Sequence, residues 1–435
     1  MKKPQPVDQR ERVLLVGVSL KKRARVEALR GSNPAANSDS LDELRELVES
    51  AGAAVAGSVL QVRDSLDPAT LVGRGKLKEI GVEANLHRVP LVIVDHDLTP
   101  VQLRNMEKGI GCRVIDRTQL ILDIFATHAH TREGQLQVEL AQLNYLLPRL
   151  AGGSDDLSRL GGGIGTRGPG EQKLEMDRRR IRDRVAKIQK AIQTVRSQRA
   201  NRRQARQSVP LGMVALVGYT NAGKSTLFNS LTGSEVLTSE KMFATLDPTI
   251  RAIRLPSRRR VLLSDTVGFI RDLPPGLIAA FRATLEELQE AALIVHVTDV
   301  SNPYHAEHDI QVRKVLEDLG VANRTRLHVL NKIDRLGEED LTALIEASRH
   351  GSGKILTSGA RGTGLPDLLV RIDRAMEVDP LVRLKLRLPA SEGRNLSLVE
   401  ARGRVLRSEF ADGHFFLEAE LPQSAARRLH RFALD

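Results

Sequence analysis

The sequence predicts an α/β protein in several parts, and three observations carry that prediction. Short apolar runs alternate with helical patterns through the first third of the chain. Two long heptad-like stripes follow, on either side of a glycine-rich stretch. A second strand–helix alternation then opens on an apolar run, a glycine loop and a helical pattern at Met213–Thr226. A length of 435 residues suits roughly two to four domains. The expected parts are an N-terminal α/β parallel-sheet domain (1–131), an antiparallel helical hairpin with a Gly-rich tip loop (132–208), a phosphate-loop domain (209–378) and a small α+β C-terminal domain (379–435).

In the first part, Val13–Gly17 reads as a buried strand. Ser40 and Glu43 form a capping box that opens a helix, and Gly52 ends it. Val55–Val62 is a second strand. Lys76–His87 is helical, Leu91–Asp95 a strand, Thr99-Pro100 a helix start and Arg113–Asp116 a strand. Gly73 and Gly75 read as a tight strand-to-helix turn, because they lack phosphate-loop spacing.

In the hairpin, Leu136, Leu140, Leu143, Leu147 and Leu150 make one stripe. Leu174, Ile181, Val185, Ile188, Ile192 and Val195 make the other, and an antiparallel pair buries both. Between them, Ala151–Gly170 is 20 residues with eight glycines, readable on composition as a loose tip or as a surface for close backbone approach. Past Pro380, alternating apolar positions at Val382–Leu388, Gly403–Leu406 and His414–Leu421 suggest short strands.

The chemistry concentrates in residues 209–378. Gly218, Tyr219, Thr220, Asn221, Ala222, Gly223, Lys224, Ser225 and Thr226 fit G-x-x-x-x-G-K-[ST] between a strand and a helix. Backbone N–H groups and the helix N-terminus cradle phosphates there, Lys224 reaches the β- and γ-phosphates, and the Ser225 hydroxyl ligates Mg²⁺. Phe243, Ala244, Thr245, Leu246 and Asp247 offer Thr245 as a second hydroxyl for Mg²⁺. A strand ends in Asp265, Thr266, Val267 and Gly268, where Asp265 suits the outer sphere of Mg²⁺ and the Gly268 N–H the γ-phosphate. Another strand ends in Asn331, Lys332, Ile333 and Asp334. The Asp334 carboxylate matches the paired N–H donors of guanine, a pair that adenine lacks. Ser358, Gly359 and Ala360 form the closing turn. Each piece alone also fits a turn at a strand end, but four in order point to GTP and GDP.

These pieces resemble the Ras-like P-loop GTPase superfamily. Leu120–Ala126, Thr131–Leu150 (TREGQLQVELAQLNYLLPRL) and Leu160–Glu171 (LGGGIGTRGPGE) are similar to the HflX family of ribosome-associated GTPases. The resemblance implies that a backbone N–H of the closing turn meets guanine O6. Related GTPases usually have Ser-Ala at the closing turn, so Gly359 is a departure that implies a looser loop. The resemblance implies large-subunit and rRNA binding, with the Gly-rich tip facing RNA. It also implies dissociation or rescue of ribosomes under stress, and ATP use in some members. An RNA-remodelling or ribosome-assembly factor that uses nucleotide as a binding switch is the alternative. Asn221 stands where some similar GTPases help bind K⁺, and a loop-stabilising side chain is the other reading.

Many such enzymes carry Gln after D-x-x-G to orient water, whereas Phe269 stands here. Two readings compete: a slow GTPase whose site a partner completes, or a nucleotide-sensing RNA binder that barely hydrolyses. Lys224, Ser225, Thr245 and Asp265 leave the Mg²⁺ and phosphate apparatus intact and favour the first, and the resemblance implies the same, with Phe the family's usual residue there and the ribosome as activator.

Composition fits an anionic partner. The formal charge is +12, and Glu171–Gln207 holds 13 Lys/Arg against four Asp/Glu. Aromatics are 3% of residues, which argues against base-stacking platforms and for shape and backbone contacts to structured RNA. One cysteine, Cys112, excludes an internal disulfide. No Cys/His spacing suggests zinc, and His128 and His130 read as a polar helix end. With no apolar h-region at the N-terminus and no long apolar run, a soluble cytoplasmic monomer is expected. Peripheral membrane association is compatible with the same reading.

Overall fold

The computed structural model describes residues 10–20, 36–150, 169–207, 212–233, 242–243, 249–271, 288–349, 353–376, 381–422, 425–426 and 429–434. The chain divides into two compact units. One holds residues 1–192 with 239–247 and 270–282; the other holds 193–238, 248–269 and 283–435.

The first unit is built on strand β1 (Arg12–Leu20), where Val13, Leu14, Leu15 and Val16 are all buried. A strand apolar on both faces must be covered twice, which predicts a parallel sheet with helices on each side. Helix α1 (Ala36–Ser50) buries Leu44, Leu47 and Val48. It begins before Ser40, so the expected capping box is corrected: the Ser40 hydroxyl donates to Asp95, 55 residues away. Gly52, at φ 87°, closes the helix end as expected.

Strand β2 (Ala54–Arg63), helix α2 (Arg74–Leu86), strand β3 (Leu91–Val94), helix α3 (Pro100–Ile110) and strand β4 (Arg113–Asp116) complete a parallel sheet in the order β2-β1-β3-β4. Thr99 caps α3 in a reciprocal box: its Oγ1 accepts from Gln102 N at 3.2 Å, and Gln102 Oε1 accepts from Thr99 N at 3.0 Å. Helix α4 (Arg117–His128) starts on the Asp116 carboxylate. Inside this unit Arg117 is nearly sealed and pairs with Asp95 at 2.6 Å and Glu43 at 2.8 Å.

Helix α5 (Arg132–Arg149) is capped by Thr131, and α6 (Pro169–Gln207) runs 39 residues. Arg184 on α6 grips Glu139 on α5 through two bonds of 2.7 and 2.9 Å. The leucine stripe of α5 is only half-buried; its sealed face is Glu133, Gln137, Val138 and Ala141. Gln137 donates to Glu133 at 3.1 Å, so two polar groups satisfy each other where leucines were expected. On α6 the stripe does bury Ile188 and Ile192. The Gly-rich tip (151–168) lies outside the described residues.

The second unit contains strand β5 (Met213–Gly218), helix α7 (Lys224–Thr232), strands β6 (Thr249–Arg254), β7 (Arg260–Asp265) and β8 (Leu293–Asp299), and helix α8 (His305–Asp318). Strand β9 (Arg326–Asn331), helix α9 (Glu338–Arg349), strand β10 (Ile355–Leu356) and helix α10 (Leu365–Met376) follow. The sheet runs β10-β9-β8-β5-β7-β6, parallel except for β6 against β7. Strand β5 has β8 on one side and β7 on the other. The loop after it therefore opens at the topological switch point, where α/β sheets place ligands. The core below joins Leu216, Phe228, Leu263, Val295, Val329 and Leu368.

The last segment has strand β11 (Leu381–Pro389), helix α11 (Gly393–Arg402), and strands β12 (Arg404–Ala411), β13 (His414–Pro422) and β14 (Ala433–Leu434). They form an antiparallel sheet, β12-β13-β11-β14, over a core of Leu386, Leu388, Val399 and Leu417. Among the described residues no helix is long and apolar enough to cross a membrane.

Candidate functional site: a phosphate cradle beside a nucleobase loop

The loop from Gly218 to Gly223 leaves β5 and turns into α7, whose first residue is Lys224. Gly223 sits at φ 86°, and a Cβ there would stand 2.4 Å from Asn331 Nδ2, so both conformation and space demand glycine. Asn221 also takes positive φ, at 58°, which Asn tolerates better than most residues. Lys224 Nζ is buried and donates to the carbonyls of Gly218 at 3.1 Å and Tyr219 at 2.7 Å. Burial pulls its pKa down to about 8, against the pull of the Asp265 carboxylate. An ammonium desolvated in a ring of backbone groups favours an anion.

Ser225, in the first turn of α7 with Thr226, donates its hydroxyl to Asp265 Oδ2 at 2.7 Å. Thr266 Oγ1 donates to Leu216 O at 2.6 Å and ties the end of β7 to β5. Val267 is buried. A Cβ on Gly268 would lie 2.8 Å from Thr220 Cα and 3.1 Å from Lys224 Nζ, so this backbone touches the cradle directly. Phe269 is buried and bridges Tyr219: Thr220 N donates to Phe269 O at 2.7 Å, and Phe269 N donates to Gly218 O at 3.1 Å.

The nucleobase loop follows β9. Asn331 is buried and donates Nδ2 to Ala222 O at 2.9 Å. Its Oδ1 accepts from Gly359 N at 3.0 Å and Thr357 Oγ1 at 3.2 Å. One side chain thus joins three loops. Lys332, at φ 64°, bonds Asn221 Oδ1 at 3.3 Å and pairs with Asp299 at 2.7 Å. Ile333 packs into a small core with Leu330 and Val300. Asp334 is half-buried, and the Ser358 hydroxyl holds its carboxyl below the usual range.

Gly359 proves tight rather than loose. Its N–H goes to Asn331, its carbonyl accepts from Ser230 at 2.7 Å, and a Cβ would press on Leu227 N at 3.2 Å. That N–H is therefore engaged, and the next residue, Ala360, is exposed.

Phe243 belongs to the other unit. Its ring packs in the first unit against Phe125, with centroids 4.5 Å apart and planes 64° apart. Ala244, Thr245, Leu246 and Asp247 lie outside the described residues. Three residues the motifs missed also matter here. They are Thr357 on Asn331, Asp299 on Lys332, and His308, which stacks on Tyr219 at 3.8 Å and 4°. Asp299 had a legible signal, an apolar run ending in an acid.

The donor set is hard: a serine hydroxyl and a carboxylate within hydrogen-bond reach of each other. That chemistry fits Mg²⁺, which keeps several waters and takes few protein oxygens. With a strand–loop–helix cradle at a sheet switch point and a nucleobase loop tethered to it, fold and site define a P-loop GTPase. Comparison with known proteins carries this further. Residues 213–332 match the family model described as 50S ribosome-binding GTPase, 38–126 GTP-binding GTPase N-terminal, and 128–206 GTP-binding GTPase Middle Region. GTPase HflX of Caldanaerobacter subterraneus is 44% identical, with 91% of each chain covered. That of Escherichia coli is 42% identical over 90% of this chain and 92% of its own. A Sulfolobus solfataricus GTP-binding protein solved with GDP is 25% identical at TM-score 0.42, covering 84% of this chain and 99% of its own. The chain belongs to the GTPase HflX family. It binds guanine nucleotide and is a GTP hydrolase.

Proposed function

We propose that this GTPase acts as a monomer on the large ribosomal subunit, with rRNA as its main contact, and dissociates or rescues ribosomes in a GTP-dependent way. The observation that carries the reading is the charge on α6, where Arg179, Arg180 and Arg182 are exposed and Arg178 is half-buried. The 50S-binding description of the matched model and the relatives' HflX names support it. The hairpin of 132–208 is the RNA-facing part, and 209–378 is the switch.

Within the switch, Gly218–Thr226 holds the phosphates and Lys224 neutralises the β- and γ-phosphates. Ser225 and Thr245 would hold Mg²⁺, with the Asp265 carboxylate, which accepts from Ser225, beside it, and the ion would supply charge neutralisation at the phosphates. Gly268 N–H meets the γ-phosphate. Asp334 reads guanine, with Lys332 along the base and Ala360 N–H toward O6. Asn221 is the position for K⁺ beside the phosphates.

Hydrolysis is slow in the free protein, because Phe269 cannot hold a water in line. The large subunit completes the site. The test is sedimentation of ribosomes with the protein, with and without a non-hydrolysable GTP analogue, at rising salt. GTP-dependent co-sedimentation with the large subunit is expected. Replacing Arg178, Arg179, Arg180 and Arg182 with Gln should reduce both affinity and salt slope. No co-sedimentation in either nucleotide state refutes the partner. A phosphate-release rate that large subunits leave unchanged refutes the completion.

A further inference from the structure

Outside the nucleotide site and among the described residues, His296, Asp309 and His328 turn their ligand atoms toward one point, all within 4.8 Å of one another. His296 and His328 face each other on neighbouring parallel strands, β8 and β9, in direct register. Asp309 comes down from α8. We propose that these three side chains form a site for a borderline divalent transition ion, with zinc the best match.

Two of the donor separations are close to the edge of a tetrahedral site. Zinc–ligand bonds of about 2.0–2.2 Å set donors about 3.4 Å apart along a tetrahedron edge. His296 Nε2 lies 3.2 Å from Asp309 Oδ1, and His328 Nε2 lies 3.2 Å from Asp309 Oδ2. The two imidazole rings are parallel within 11°, with centroids at 4.8 Å, so one ring must turn about its side-chain bonds to bring both nitrogens onto a shared ion.

The donor set chooses the ion. Two imidazole nitrogens and one carboxylate suit zinc, whereas Mg²⁺ and Ca²⁺ require oxygens. An orienting shell is in place as well. Thr298 Oγ1 donates to Asp309 Oδ1 at 2.5 Å, which fixes the carboxylate as outer partners do in metal sites, and its 2.9 Å contact with His328 Nε2 opens when that nitrogen takes the ion. Side-chain exposure grades from 3% at His296 and 10% at Asp309 to 24% at His328. The site is therefore most accessible at His328 and sealed at His296.

An ion there staples α8 to β8 and β9. The same helix carries His308 onto Tyr219 of the phosphate loop, and the same strands end in Asp299 and Asn331.

The test uses the full chain, stripped with a chelator and saturated with Mg²⁺ and GDP to occupy the nucleotide site. Zinc chloride is titrated against a competing chelator. Cobalt(II) absorption in the visible range serves as a second probe of tetrahedral geometry. One zinc per chain is expected. His328→Asn and Asp309→Asn should weaken it by at least about 100-fold, beyond the usual outer-shell loss, and Thr298→Val by about tenfold. Circular dichroism and GDP binding check that each variant folds. If one ligand variant fails to fold, the other and Thr298→Val still decide. No zinc held against the competitor overturns the proposal. So does zinc held equally by wild type and folded variants, which places it on other histidines.

Discussion

Replacing Asn331 by alanine strikes the one side chain that joins the phosphate loop, the nucleobase loop and the closing turn. The side chain is buried, and its loss strands the Ala222 carbonyl and the Gly359 N–H, previously bonded at 2.9 and 3.0 Å. Thr357 keeps a long second contact, 3.5 Å to Leu330 O, so it is only partly stranded. Each buried group left unmade costs about 1–3 kcal/mol, and two give about 3 kcal/mol if water recovers part of the loss. About 3 kcal/mol corresponds to roughly 10²-fold in an equilibrium constant. Part of it will appear as loosening of the free protein and part as weaker GDP binding. At least about tenfold is expected in Kd, together with lost protection of the Gly359 amide. A fluorescent GDP analogue reads the first and hydrogen exchange the second. Asn331→Asp is the matched control. It keeps an acceptor for Gly359 but sets a carboxylate against the Ala222 carbonyl, so it should retain the amide's protection and still lose affinity. Unchanged Kd with a protected Gly359 amide in Asn331→Ala would sink the tether.

Three further outcomes are expected. Asp334→Asn puts a donor against guanine N–H groups and should cost roughly 10²-fold or more in GTP affinity; equal titrations of mutant and wild type refute the assignment. Lys224 is held at about 8 against 10.5 in an unfolded chain, so the unfolded state carries the extra proton between those values. Raising pH across that window should stabilise the nucleotide-free fold through this group, while GDP affinity falls because bound phosphates must recruit the proton; calorimetry showing no proton uptake at pH 8.5 to 9 contradicts it. Arg117→Ala leaves Glu43 and Asp95 facing each other in the first unit, with Arg271 at 3.2 Å from Glu43 as partial relief. A loss of about 3 kcal/mol is expected, the low end for breaking a buried pair. Urea unfolding followed by circular dichroism measures it, and a loss under about 1 kcal/mol refutes it.

What could be read in advance was whatever chain proximity enforces. An apolar run must be covered, a G-x-x-x-x-G-K-S segment must curl, and Thr99 before Pro100 must cap. The misreadings share one cause, a distant partner. Ser40 looked like a cap until Asp95 claimed its hydroxyl. The α5 leucines looked like the buried seam, but Gln137 and Glu133 satisfy each other and take the sealed face. Gly359 looked like a loosened alanine, yet Asn331, Ser230 and the backbone of α7 crowd it from three sides. The four nucleotide motifs could be placed in order, and Asn331 could be read as tying its loop to the phosphate loop, as its bond to Ala222 does, but the Asp299–Lys332 cross-link depends on the strand order β9-β8-β5. No local pattern encodes that order.

The pair of backbone bonds between Phe269 and the phosphate loop sets a boundary for motion. They prolong the β5–β7 pairing past the ends of both strands, so Gly268 is held at the mouth of the cradle by a clamp on the residue that follows it. A response to the γ-phosphate that leaves these bonds intact must pivot at Ile270 or beyond. One that begins earlier must undo both, at about 1–3 kcal/mol in total. That range overlaps the usual coupling free energy between two sites, about 1–3 kcal/mol. Exchange of the Thr220 and Phe269 amides therefore reports which side of the boundary the protein uses. Slow exchange in both the GDP and GTP-analogue states locates the pivot downstream, and a state-dependent change locates it within the clamp.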